Sequence, residues 1–292
     1  MNKINFIIVG AQKAGTTSLK NYQGEHPEIS THDQEEIADF VVDEEYHGAI
    51  EKAYEKYFHD YHKGTTLTAK NAILYRHSEG FERLAQYDPP YKIVILLRNP
   101  IDRMYSAFLM EQFYGSVKTD YTAIKEVIAG GGHDKNDWRY EIFVGTSLYF
   151  DHLKDICANF PTEQVKIFSF EDFKKDPLPY WKEVSGWMHV ATDFQFATLI
   201  VHNETKKAQS LTYSRVTNRF FDNNNTIKKL IKKVIPASTN NKLGEAVRGL
   251  NKLEKRPNPV SIEMRLYLKS FFEPYYKELQ QLTGFETELW NQ

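Results

Sequence analysis

Gly10-Ala11-Gln12-Lys13-Ala14-Gly15-Thr16-Thr17 is a run suited to holding an anion. The two glycines let the backbone turn tightly, so that successive N–H groups point inward. Helix signals follow at once, and a helix N-terminus adds about half a positive charge to that ring of donors. Lys13 brings a full charge, and the Thr hydroxyls bring further donors. The glycines fall in the register of the nucleotide-binding loop G-x-x-x-x-G-K-[ST]. Thr16, however, stands where that loop has its lysine, and the lysine sits earlier, at Lys13. The chemistry implied is phosphate or sulfate binding by something other than an Mg-ATP loop.

A second apolar run, Ile93–Leu97, ends in Arg98. A nucleoside triphosphatase would close such a strand with an aspartate for Mg²⁺. An arginine at the carboxyl edge of a buried strand instead faces the crevice where ligands bind in parallel sheets, and it can grip a phosphate with two donors. Asn99-Pro100 then caps a helix with one apolar stripe, Ile101, Met104, Tyr105, Phe108 and Leu109. Ser106 lies two turns in, off that stripe, and is placed to complete the same anion site. The residues thus predict a cleft for at least two anionic groups, with no metal ligands called for.

Both segments resemble motifs of one family. Phe6–Leu19 (FIIVGAQKAGTTSL) resembles the 5′-phosphosulfate loop of sulfotransferases that use 3′-phosphoadenosine 5′-phosphosulfate (PAPS). Ile93–Leu109 (IVILLRNPIDRMYSAFL) is similar to their 3′-phosphate motif, an Arg and a Ser eight apart. Tyr149–Leu153, Val165–Pro177, His202–Lys207 and Phe271–Trp290 carry weaker likeness, in an order closer to bacterial and glycan-type enzymes than to cytosolic phenol and steroid enzymes. The resemblance implies a P-loop-like three-layer α/β fold, PAPS as donor and 3′-phosphoadenosine 5′-phosphate (PAP) as product. It implies that Lys13, Ala14, Gly15, Thr16, Thr17 and Ser18 hold the 5′-phosphosulfate, that Arg98 and Ser106 hold the 3′-phosphate, and that Lys206 or Lys207 joins them. Lys207 stands where the family often has glycine. The acceptor implied is a hydroxyl on a carbohydrate, lipid or small metabolite, met by direct in-line transfer.

The family often has a Lys-Glu pair followed by an aromatic residue, about ten places after a His-Pro. Here His26-Pro27 is followed by Glu35-Glu36 and Phe40. By resemblance Glu36 is the base that takes the acceptor proton, while Glu35 replaces the lysine. The carboxylate neighbour and partial burial are expected to push the Glu36 pKa up. Lys70, in Thr68-Ala69-Lys70-Asn71, resembles a family lysine beside the acceptor and is expected to compensate in part for the missing one. His32 is the second candidate for the base, since the cytosolic branch uses a histidine. Lys13 is expected to meet the charge that builds on the bridging oxygen.

The elements that must position these residues are legible in outline. Ile4–Val9, Ile93–Leu97 and Val165–Phe170 read as strands, alternating with helices that open at Thr16 or Thr17, at Pro100 and at Tyr149. Alternation of this kind predicts an open, mostly parallel α/β sheet flanked by helices. Tyr149, Leu153, Ile156, Cys157 and Phe160 form another apolar stripe. Ser261–Thr283 reads as a last helix, broken near Pro274. One domain is expected over residues 1–292, with 208–260 a mobile basic insertion or lid.

Composition bounds the rest. Apolar residues at 41 % and charged residues at 26 % exclude a disordered or collagen-like chain. A net charge of −2 argues against nucleic acid as a partner. The charge is unevenly spread: 33–60 carries ten acids against two lysines, and 206–256 carries thirteen Lys or Arg against three acids. Thr226–Ile235 is a basic amphipathic stretch, readable as a lysine-lined surface helix or as a lid contacting an anionic or lipid-borne acceptor. Cys157 is the only cysteine, so no internal disulfide is possible. No apolar run spans a bilayer, and the early first strand leaves no room for a signal peptide, so a cytoplasmic protein is expected. Two other readings stay open: a P-loop-type small-molecule kinase, and a non-catalytic PAP- or PAPS-binding protein of the same fold.

Overall fold

The computed structural model describes residues 4–38, 40–46, 57–58, 65–87, 91–114, 116–117, 122–129, 137–196 and 260–291. Lys206, Lys207, Thr226–Ile235 and nearly all of the 208–260 segment lie outside these residues. The chain packs into two compact units. The first comprises Met1–Arg103, Thr146–Asn203 and Leu266–Gln292; the second comprises Met104–Gly145 and Glu204–Arg265.

Among the described residues, the first unit holds one five-stranded sheet. Its strands are β1 (Ile4–Gly10), β2 (Ile29–Thr31), β3 (Thr66–Lys70), β4 (Lys92–Leu97) and β5 (Val165–Ser169). They lie in the order β2-β3-β1-β4-β5, and every neighbouring pair is parallel. The central strands β1 and β4 are near-continuous apolar runs because both of their faces are covered. Ile7, Ile8, Val9 and Ile93 through Leu97 have no exposed surface. Each contributes about 1.5–3 kcal/mol of burial. The edge strand β5 is only half-buried along its length.

This topology fixes where chemistry can sit. β1 is flanked by β3 on one side and β4 on the other, with Ile8 opposite Lys70 and Gly10 opposite Ile95. The carboxyl ends of three adjacent parallel strands therefore share one edge. The chain order reverses there, and such a switch point opens a crevice. Gly10, Lys70 and Leu97 end their strands at this edge.

Helices connect and flank the strands: α1 (Thr16–Glu25), α2 (Pro100–Tyr114), α3 (Thr122–Ala129), α4 (Trp138–Phe143), α5 (Tyr149–Asn159) and α6 (Ile262–Thr283) among others. Tyr149, Leu153, Ile156 and Phe160 are buried as their spacing predicts, whereas Cys157 of the same stripe is exposed. The expected break at Pro274 does not occur, and α6 runs unbroken through it. Leu268, Phe272, Tyr276 and Leu279 are buried on both sides of the proline. Four buried side chains at about 1.5–3 kcal/mol each outweigh the ~3 kcal/mol that an interior proline costs.

In the second unit, Phe108 and Phe143 meet edge-on with ring centroids 5.9 Å apart. Asp137 caps α4, its side chain accepting from the Arg139 N–H. Among the described residues, no helix is long and apolar enough to cross a membrane.

Candidate active site

The loop after β1 is held tightly. Ala11 N–H donates to Leu96 O at 2.7 Å, and Ala14 N–H closes a turn onto Ala11 O at 3.0 Å. Lys13 and Gly15 both have left-handed backbone, with φ of 72° and 84°. A Cβ at Gly15 would lie 2.6 Å from the Phe170 ring, and one at Gly10 would lie 2.5 Å from Tyr75 Cβ. The glycines thus let the loop lie against two aromatic rings. Gly15 is the N-cap of α1 and has no side chain to satisfy the first N–H groups of the helix. Ala14, Thr16 and Ser18 are buried, while Lys13, Gly15 and Thr17 are half-buried. Gly15→Ala is expected to lower stability by about 1–3 kcal/mol through the strained φ alone, read as a lower thermal midpoint.

Arg98 completes the loop from β4. Its Nη1 donates to Lys13 O at 3.0 Å, and its guanidinium stacks 4.9 Å from the centroid of the Phe170 ring. Tyr149 Oη donates to Arg98 O at 2.7 Å and fixes the backbone behind it. Glu171 accepts from the next amide, Asn99 N–H, at 2.8 Å and from Trp290 Nε1 at 3.3 Å. The C-terminal Trp290 is thereby tied to the arginine loop.

Lys13 and Arg98 are both pushed to lower pKa by burial; for Lys13 the positive charges of Arg98, Arg103 and Lys70 add to the effect. Among the described residues, no carboxylate lies within ion-pair distance of either. Like charges this close, partly stripped of water, are costly unless an anion joins them. This cluster, the N-terminus of α1 and the two glycine positions of the loop fit a ligand that bears phosphate and sulfonate. Arg103 belongs to the same positive cluster and escaped the sequence reading. It is fully buried, its Nε donates to Ser147 Oγ at 2.6 Å, and burial pushes its pKa down to about 10. Ser106 is buried on α2 and falls in the second unit.

The third strand end brings Glu36 and Lys70 together. Lys70 Nζ lies 2.5 Å from Glu36 Oε1 and also donates to Glu35 O at 2.8 Å. Ala72 N–H donates to Glu36 Oε2 at 2.7 Å. Asn71, another residue the sequence reading passed over, donates from Nδ2 to Ile37 O at 2.6 Å. Ile37 N–H donates to Lys70 O at 3.0 Å. Residues 35–37 are thus laced to 70–72 by side chains as well as backbone. What Glu36 meets is an ammonium, not the neighbouring carboxylate: Glu35 is exposed and offers Lys70 only its carbonyl. Lys70 supplies the positive charge whose absence at position 35 the sequence made conspicuous.

His32 takes no such place. Its Nε2 accepts the Lys70 N–H at 2.9 Å in a buried setting, which commits the lone pair a base would need. Burial, then Lys20 and Lys70, push its pKa down to about 3. The ring is therefore neutral in the folded protein at all but strongly acid pH. Because the folded value lies below the unfolded one, its stability contribution is present above pH ~6.5 and is lost as pH falls from there toward 3. A ¹⁵N NMR titration should show His32 Nε2 unprotonated throughout that window.

A solved sulfotransferase from Alicyclobacillus acidocaldarius has the same fold, with a TM-score of 0.67 and 21 % identity over 100 % of both chains. Human bifunctional heparan sulfate N-deacetylase/N-sulfotransferase 3 is 25 % identical over 209 residues, covering 69 % of this chain and 24 % of that protein. Mouse heparan sulfate glucosamine 3-O-sulfotransferase 5 is 29 % identical over 186 residues, covering 63 % of this chain and 53 % of that one. The chain thus spans about a quarter to a half of the length of these relatives. The family model for the sulfotransferase domain matches residues 3–251, well over half of the chain, and the protein belongs to the sulfotransferase family.

Proposed function

We propose that this protein moves a sulfuryl group from PAPS to a hydroxyl of a carbohydrate, lipid or small-metabolite acceptor. A carbohydrate stands first because the matched relatives carry names of heparan sulfate enzymes. The observation that carries the reading is the meeting, at one sheet edge, of two half-buried cations, without a carboxylate partner among the described residues, with a carboxylate–ammonium pair. Lys13 and Arg98 form the first, and Glu36 with Lys70 the second.

PAPS supplies a sulfuryl group already activated by its link to a phosphate. Lys13 and the N-terminus of α1 hold that 5′ end, and Arg98 receives the 3′-phosphate. Glu36 takes the proton of the acceptor hydroxyl. The acceptor oxygen forms the new bond to sulfur as the bond from sulfur to the bridging oxygen breaks, and the electron pair leaves with the 5′-phosphate. Lys13 meets the charge that grows on that oxygen. Lys70 orients Glu36 and holds positive charge beside the group in transit. Attacker and leaving group are held in line by groups at the adjacent ends of β1 and β3, which is where much of the acceleration arises.

The test is transfer of label from [³⁵S]PAPS, with EDTA present, to a panel of heparosan oligosaccharide, neutral glycosides and hydroxylated lipids. Label on any of these supports the reading. PAP binding with no transfer to any acceptor would favour the non-catalytic reading, for which Glu35 in place of lysine is the one supporting feature.

A further inference from the structure

After β2 the chain leaves the sheet, and the carbonyls of His32, Gln34 and Glu35 need partners other than a strand ladder. A buried backbone group left unpaired costs as much as a lost hydrogen bond. Two ammonium groups take up these carbonyls. Lys70 Nζ takes Glu35 O. Lys20 Nζ, reaching from α1, donates to His32 O at 2.9 Å and to Gln34 O at 2.7 Å.

Lys20 is an unusual residue for its place. It lies on the buried side of α1, is only 7 % exposed, and makes no ion pair among the described residues. Immobilising a lysine and stripping water from its charge both oppose folding. Burial, and then the charge of Lys70, lower its pKa. A leucine would fill an apolar helix face without that cost. The two carbonyls it holds belong to the segment whose next residues are Glu35 and Glu36.

We infer that Lys20 is a positioning residue, fixing the 32–36 segment so that Glu36 is held against Lys70 and the Ala72 amide. α1 begins at the anion loop, so one helix carries both the N-terminus that faces the donor and the ammonium that sets the carboxylate. The catalytic meaning of this inference rests on the proposed function; its structural content does not.

The experiment pairs two measurements on the full chain. The first is hydrolysis of PAPS to PAP and sulfate, in which water stands in for the acceptor. The second is hydrogen exchange at the Ala72 and Ile37 amides. Lys20→Met keeps the length of the side chain and removes its donors. It is expected to lower kcat roughly tenfold or more, the scale of a misplaced catalytic group. KM for PAPS and Kd for PAP should stay within about twofold of the wild type. Ala72 and Ile37 should exchange faster while Ile7 and Ile95 in the sheet do not. Lys20→Gln, which keeps one donor group, is measured beside it and should lie between the two. Unchanged kcat, unchanged exchange at Ala72, or a matching loss of PAP affinity would each overturn the inference. A wild-type protein that neither binds PAP nor hydrolyses PAPS would instead overturn the proposed function, and the exchange data would still decide where Lys20 acts.

Discussion

Glu36→Gln should abolish turnover while leaving PAP bound. The amide keeps the size of the carboxylate and still offers an oxygen to the Ala72 N–H, which now lies 2.7 Å from Oε2. It has no lone pair basic enough to take the acceptor proton. General-base catalysis of this kind contributes about 10²–10⁴-fold, so kcat should fall by that factor. Neither Lys13 nor Arg98 contacts Glu36, so Kd for PAP should move less than twofold. Lys70→Met should also be severe, because it leaves Glu36 Oε1 and Glu35 O without the ammonium that now joins them. Steady-state kinetics and calorimetry on the same preparations separate the two effects. A Glu36→Gln protein with full activity would place the base elsewhere, and His32 would be a poor substitute given its committed Nε2.

The second large effect is expected at Arg98. Charge-assisted hydrogen bonds contribute about 1.5–3 kcal/mol each, so Arg98→Ala should weaken PAP roughly 10- to 150-fold. ADP, which lacks the 3′-phosphate, should weaken far less. Some loss for ADP is still expected, since Arg98 also holds the loop through Lys13 O at 3.0 Å. Arg98→Lys should recover only part of the PAP affinity, because an ammonium cannot stack on Phe170 and grip two oxygens at once.

The strand–loop–helix form of residues 4–25 was readable because the sequence dictates it locally: two glycines, a strand before and a helix after. Arg98 was readable for the same reason, as the charged end of an apolar run. The partnership of Glu36 with Lys70 was reached by resemblance and not by pattern. Thr66–Lys70 alternates weakly, and nothing in its composition announces a strand beside β1; Ile29–Thr31 is shorter still. Without those strands the sequence cannot show that Glu36 and Lys70, 34 residues apart, share an edge. Glu35 misled because sequence neighbours are not spatial neighbours where the chain leaves a sheet: its carboxylate faces solvent and its carbonyl faces inward. Pro274 misled because a local rule was overridden by the packing of α6. Arg103 and Lys20 were missed because a buried cation inside an amphipathic helix reads as a polar-face residue until its neighbours are known.

If the ends of β1 and β4 receive a nucleotide with a 3′-phosphate, the protein must distinguish PAP from ADP. Calorimetric titration of the wild-type protein with PAP and with ADP, both in EDTA, tests it most directly. Tight PAP binding, with ADP weaker by several kcal/mol as expected for more than one charge-assisted contact, is the predicted result. Equal affinity for the two nucleotides, or binding of ADP that appears only when Mg²⁺ is restored, would contradict the assignment of Arg98 and Ser106 and the use of PAPS with it.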